Sequence, residues 1–171
     1  MTPQHFEEPR LSAATAGDLP VSGEELLDLM RAVLARGVPF RFHARGWSMA
    51  PFVRDGDAIT VSPLPQNPPG VGDVVAFVRP GTRDLVVHRV VARHGRDLLI
   101  QGDSVAQSAD GIIPAENLLG RVTRVERDGR DIRLGSGPER IAIAWLSRKR
   151  LLIPLCVRLP SRLKALFRPR R

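Results

Sequence analysis

Apolar residues change their period once along the chain, near Gly37. Ahead of it, Leu26, Leu27, Met30, Val33 and Leu34 recur at helical spacing and predict an amphipathic helix over 22–37. Ser22 with Glu25 three residues on forms a capping box at its start, and Gly37 is its terminator. Glu24, Glu25, Asp28 and Arg31 mark it as a surface helix with one buried stripe. After Gly37 the pattern shortens into β-like runs bounded by Gly, Pro and Asp, which predict strands over 39–44, 58–62, 73–78, 85–92, 97–101, 118–127 and 131–134. Four prolines within 63–70 require a loop there. Arg127-Asp128-Gly129-Arg130 reads as a hairpin turn, with Asp-Gly supplying the positive-φ positions, and 93–96 with Gly95 as a second. The expected architecture is mainly β: a flexible lead over 1–21, the helix over 22–37, a β domain over 38–137 and a basic amphipathic tail over 138–171.

Composition narrows this picture without changing it. The chain has 171 residues, 43% hydrophobic and 26% charged, long enough to bury a core and too apolar to be wholly disordered. A single cysteine, Cys156, excludes a disulfide framework, and histidines at 5, 43, 88 and 94 lack the spacing of a zinc site. No metal or organic cofactor is expected. No run of 18 uncharged apolar residues predicts a membrane span, and the polar N-terminal stretch with Glu7, Glu8 and Asp18 is the opposite of a secretory signal. A cytoplasmic location is therefore expected, at most peripheral at the inner membrane face.

The net charge of +8 is concentrated at one end. Ten basic residues and no acidic one lie between Arg140 and Arg171, more than the whole excess, which leaves −2 on the first 139 residues. No helix-turn-helix pattern, aromatic platform or finger spacing accompanies that charge, so nucleic acid is not an expected partner. The tail alternates apolar runs at 141–146 and 151–157 with basic clusters, a texture suited to an anionic membrane interface. Pro154, Pro160 and Pro169 cut it into short pieces, and a helix packed on the body is the competing reading.

Three segments place catalytic residue types beside turn-forming glycines. The first runs Gly46-Trp47-Ser48-Met49-Ala50-Pro51 and continues to Arg54-Asp55-Gly56-Asp57. The second is Gly72-Asp73-Val74-Val75 with Val87-His88-Arg89-Val90 downstream. The third is Gly102-Asp103-Ser104, continuing through Ser108-Ala109-Asp110 to Pro114-Ala115-Glu116-Asn117-Leu118-Leu119-Gly120-Arg121. In order and at compatible spacing, these boxes resemble the type I signal peptidase and LexA-like serine peptidase superfamily, over roughly residues 38–127. The resemblance implies a signal peptidase-like β-ribbon fold and a serine endopeptidase that cuts a peptide or leader after small residues.

Members of that superfamily use a Ser–Lys dyad or a Ser–His pair with an aspartate. The only lysines here, Lys149 and Lys164, lie beyond all three boxes. The resemblance is therefore to the Ser–His branch, archaeal and endoplasmic-reticulum-like, but without an N-terminal anchor. It implies Ser48 as nucleophile and His88 as general base, since a neutral imidazole suits proton transfer near neutral pH. Asp103 and Asp110 both match family positions; Asp103 is preferred as the carboxylate orienting His88, which would leave Asp110 in a salt bridge with Arg89 or Arg121. Ser108 matches a serine that supports the base. The Ser48 N–H, helped by flexible Gly46, would form the oxyanion site, although Gly46 replaces the hydroxyl residue often found there.

Each residue also has a bland reading: Ser48 as a turn serine, His88 as a core histidine, the aspartates as turn caps. His43 is expected as an exposed strand residue and His94 in a hairpin loop. Two alternatives to a peptidase acting on other chains stay open. One is LexA-like self-cleavage at Ala16-Gly17, and the other is a non-catalytic binding module on the same fold.

Overall fold

A computed structural model describes residues 14–15, 23–66, 68–104, 110–134, 137 and 139–149. Helix α1 (Gly23–Ala35) buries Leu27, Met30 and Leu34 along one stripe, with Glu24 and Glu25 in its first turn where they face the positive helix end. Gly37 closes it at φ 78°, its N–H donating to the Leu34 carbonyl at 3.0 Å. The proposed cap Ser22 lies outside the described residues.

The chain then builds a mainly β structure. Its strands are β1 (Ala14–Thr15), β2 (Phe40–His43), β3 (Ala58–Pro63), β4 (Val74–Val78), β5 (Leu85–His94), β6 (Asp97–Gln101), β7 (Gly111–Ile113), β8 (Leu118–Arg127) and β9 (Arg130–Asp131). They form one sheet in the order β1-β2-β3-β8-β4-β5-β6-β7, with β9 hairpinned onto β8. All pairings are antiparallel except that of β1, which adds to β2 in parallel. Of the lead expected over 1–21, only this two-residue strand is described.

Register shifts at 60/61, 76/77 and 90/92 bend the sheet, so that it encloses apolar residues on both sides. Strand β4 is buried at every position: Val74 and Ala76 enter the larger cluster with α1, β2 and β3, and Val75 and Phe77 enter a smaller one with Val90, Leu98, Ile100 and Ile113. A central strand covered on both faces reads as a continuous apolar run, which is how Val-Val-Ala-Phe-Val reads. The Asp128-Gly129 turn has φ of 50° and 72°, the left-handed pair such a two-residue hairpin needs. The expected strand over 131–134 pairs only through Asp131, while Ile132 returns to the Val125 carbonyl at 2.8 Å. His94 ends β5 opposite Asp97 rather than sitting in the loop.

Of the two readings of the tail, the packed helix describes its first part. Helix α2 (Arg140–Arg148) buries Ile143, Ala144 and Ser147 against the body. Gln101 Nε2 donates to the Ser147 carbonyl at 3.0 Å, Ser147 Oγ donates to the Gly102 carbonyl at 3.4 Å, and Arg140 pairs with Asp73 at 3.4 Å. Residues 150–171, with Cys156, lie outside the described residues. Among the described residues, no helix is long and apolar enough to cross a membrane.

One buried ion pair joins these parts. Arg89 of β5 is fully buried and uses Nε and Nη2 to grip both oxygens of Asp103 at 2.8–3.1 Å. Its Nη1 donates to the Gly72 carbonyl at 2.9 Å and its Nη2 also to the Leu134 carbonyl at 3.1 Å, while the guanidinium lies 4.9 Å from the Phe52 ring centroid. Removing one partner of such a pair strands a charge away from water. Asp103→Ala is therefore expected to cost about 3–5 kcal/mol in urea unfolding, far more than the loss of an exposed carboxylate.

Candidate active site

Ser48 lies in the turn between β2 and β3, a segment closed at its base by backbone pairing of Ala44 with Gly56 and Asp57 at 2.8–2.9 Å. Two aspartates hold this turn. Asp57 is 2% exposed, pairs with Arg127 at 2.6 and 2.7 Å, and accepts the Arg54 N–H at 2.8 Å. Asp55 accepts the Gly46 N–H at 2.8 Å. Gly46 has φ 89°, a conformation that a residue with a Cβ rarely adopts. Its N–H is thus committed to Asp55, and Gly46 shapes the turn that carries the Ser48 N–H. The Ser48 N–H has no acceptor among the described residues. Met49 is buried in the larger core, and Trp47 stands 63% exposed beside Ser48.

His88 enters from β5, 2% exposed, with its ring 6.3 Å from that of Phe77. Its Nδ1 makes a short hydrogen bond to Asp110 Oδ2. The other carboxylate oxygen, Oδ1, accepts from Arg79 Nη2 at 3.0 Å, and the Asp110 side chain is only 4% exposed. Burial by itself pushes the Asp110 carboxyl up, but the hydrogen bond and charge of His88, joined by those of Arg79, hold it below the ordinary carboxylate range. With a carboxylate on Nδ1, the neutral imidazole carries its proton there and leaves Nε2 as the acceptor.

This reverses the expected assignment of the two carboxylates. Asp110 is the group on His88, and it pairs with neither Arg89 nor Arg121; Asp103 belongs to Arg89. The reason is strand parity. Successive residues of β5 point to opposite faces. His88 faces the Phe77 side, Arg89 the Phe52 side, and each collects the aspartate that reaches its own face. Arg121 lies instead 3.8 Å from Asp73. Ser108, expected to support the base, lies outside the described residues, as do Ala16 and Gly17.

Gly102 sets the approach of Ser48 to His88. A Cβ placed there would lie 2.6 Å from the Ser48 carbonyl oxygen and 3.2 Å from His88 Nε2, so both atoms crowd around one point. The next N–H but one, from Ser104, donates to that same Ser48 carbonyl at 2.8 Å. Among the described residues, Ser48 Oγ and His88 Nε2 make no hydrogen bond. Both residues line one open cleft of about 710 Å³, floored by apolar groups such as Phe42, Val53 and Val87 and edged by His43, Arg79 and Asp84. His43 is exposed, and its Nδ1 donates to the Gly56 carbonyl at 3.0 Å. Among the described residues, no cluster of three His, Cys, Asp or Glu side chains is arranged to hold a metal ion.

Sequence reasoning did not single out Arg79 or Gly102 as site residues. Gly102 was visible as part of the third box, since a glycine beside a catalytic segment signals close approach. Arg79 gave no signal, because its contact with Asp110 spans 31 positions. No family model matches the chain, and no curated protein matches it.

The depressed Asp110 carboxyl has a stability consequence. A group whose pKa is lower folded than unfolded stabilises the fold above its unfolded value, about 3.9, and that contribution disappears as pH falls through the folded value. Urea unfolding between pH 7 and pH 3 should therefore show stability lost below about pH 4 in the native chain. Asp110→Asn should lose less over the same interval.

Proposed function

We propose that this protein is a serine endopeptidase of the signal peptidase-like kind, with Ser48 as nucleophile, His88 as general base and Asp110 as the carboxylate that orients it. The observation that carries the reading is one cleft lined by both Ser48 and an aspartate-paired histidine, with the Ser48 carbonyl and His88 Nε2 both close to Gly102, where a Cβ would not fit. The three boxes that resemble the superfamily support the same reading, as does the mainly β sheet that carries them.

The chemistry follows from the assigned protons. Ser48 Oγ attacks the carbonyl carbon of an extended peptide, and His88 Nε2 takes its proton. The resulting imidazolium is stabilised by Asp110 through Nδ1, while the Ser48 N–H faces the oxyanion. Collapse of the tetrahedral intermediate breaks the C–N bond, with Nε2–H protonating the departing amine. Water, deprotonated by the same nitrogen, then hydrolyses the acyl-serine and restores the hydroxyl. Asp103 stays outside this sequence, as the partner of Arg89.

Helix α2 adds a place to dock. Ile141 and Trp145 are 62% and 56% exposed, and Arg148 and Lys149 follow them at the exposed end of the helix. An interfacial tryptophan with adjacent cations suits the headgroup region of an anionic bilayer, which would bring peptides at that surface to the cleft.

Incubating the full chain with a diverse peptide library and reading the products by mass spectrometry tests the activity. Cuts after small residues should vanish in Ser48→Ala and His88→Ala, and Asp110→Asn should lose about 10⁴-fold in kcat with the fold retained. Products unchanged by Ser48→Ala would end the peptidase reading. Gly102→Ala should also lose activity, because its methyl displaces the Ser48 backbone. Sedimentation with phosphatidylserine vesicles, compared with neutral ones, should retain the native chain and release Trp145→Ala at raised salt.

A further inference from the structure

The Asp110 carboxylate has two buried oxygens and two side-chain donors, His88 and Arg79, and only the first of them belongs to the mechanism above. The second, Arg79, follows β4 at the start of the connection to β5, and its position is built rather than incidental. Its N–H donates to the Asp84 carbonyl at 3.1 Å, and its own carbonyl takes the Thr82 N–H at 3.2 Å and the Thr82 hydroxyl at 3.2 Å. Its Nη1 is 3.3 Å from Asp84 Oδ2, while Nη2 reaches Asp110 at 3.0 Å. One terminal nitrogen is therefore anchored in its own loop and the other is delivered to the carboxylate that holds the candidate base.

We infer that Arg79 is a positioning residue of the catalytic site, one that keeps Asp110 turned to His88 and offsets its charge so that the imidazole stays neutral and able to accept the Ser48 proton. This rests on the peptidase reading above. Charges balance here at the edge of an open cleft, between a buried ring, a buried carboxylate and a part-exposed guanidinium. An aspartate facing a histidine with nothing on its far side favours the imidazolium, and a protonated Nε2 cannot act as a base. A guanidinium on the far oxygen takes up part of that negative charge and also satisfies an oxygen that would otherwise be buried without a donor. Burial alone raises the Asp110 carboxyl, and Arg79 is among the groups that bring it below its ordinary value. Among the described residues, the other titratable or charged groups lining the cleft with His88 are Asp84 and Arg83 on the same connection, Glu24 of α1, and His43 and Arg45 at the end of β2. Arg83 is held by Asp28 at 3.0 Å and Glu24 at 3.5 Å and does not reach Asp110, while Asp84 is a second anion that holds the other terminal nitrogen of Arg79 at 3.3 Å.

The test follows the His88 ring by NMR across pH in the full chain, in a Ser48→Ala background so that no turnover is needed, with the signal assigned by its loss in His88→Gln. Removing the arginine exposes the imidazolium to the whole Asp110 charge, so the His88 midpoint in Arg79→Gln should rise by about one pH unit, a tenfold change in its protonation equilibrium. Arg79→Lys, which keeps the charge without the fork, should shift less. With Ser48 intact, the acid limb of kcat/KM should move in the same direction, leaving Arg79→Gln about tenfold less active on that limb and closer to the native chain at higher pH. Arg79 is 40% exposed at its side chain, so the substitution leaves the core intact, and Arg79→Met serves if the glutamine variant does not fold. An unmoved or lowered His88 midpoint overturns the inference, even where Ser48-dependent cleavage is intact. A raised midpoint in a chain that cuts no peptide keeps the coupling of Arg79 to His88 and rejects the peptidase reading instead.

Discussion

The buried pair between Arg89 and Asp103 is the constraint on which the rest of the site hangs. A guanidinium without contact with solvent is tolerable only if its donors are met, and here they are met by a carboxylate, two backbone carbonyls and an aromatic face. Those partners come from the segment after β6, the turn before β4, the stretch after β9 and the turn that follows Ser48. Each must return to the same point for the charge to be satisfied, so the pair acts as a register pin among parts of the chain far apart in sequence. Its effect reaches Ser48 in few steps. Asp103 fixes the segment whose Ser104 N–H binds the Ser48 carbonyl, and whose Gly102 lies against it.

Adjacent residues of β5 thus divide two tasks between two faces. Arg89 spends its charge on architecture, on the side of the larger core. His88 gives its Nδ1 to Asp110 on the side of Phe77, and the residue lines the cleft. The two aspartates look alike in sequence, and their difference is entirely one of side. The one bound by Arg89 is sealed in a fully met pair, whereas the one bound by His88 shares its charge with a half-exposed arginine. A carboxylate shared in this way can respond to protonation of its neighbour, and a sealed one cannot do so without disturbing the fold.

Much of this was legible in the chain, and the parts that were not have physical reasons. Strand β8 could be read over its whole length because its run is bounded by Asn117 ahead and by the Asp128-Gly129 turn behind, although its alternation breaks at Thr123 and Arg124. Strand β7 was missed because three residues between Asp110 and Pro114 carry no period. Ser48 and His88 stood out from local motifs, Ser48 two residues after the turn glycine Gly46 and His88 in the second of the three boxes. The choice between Asp103 and Asp110 depended on which face of β5 each segment returns to, and bulges such as the one at 90/92 shift such parity unpredictably. Arg79 lay further still from detection, since an arginine after a strand reads as ordinary surface until folding brings Asp110 beneath it.

Helix α2 closes over this arrangement from behind, with Gln101 reaching its Ser147 carbonyl and its Ser147 hydroxyl reaching the Gly102 carbonyl. The peptide that separates Ser48 from His88 is therefore walled by a helix from the far end of the chain. The β sheet is not a portable module whose C-terminal extension can be exchanged at will. A recombination joint placed between β9 and α2 would hand the site a foreign back wall, so inheritance of this geometry requires inheritance of the helix as well.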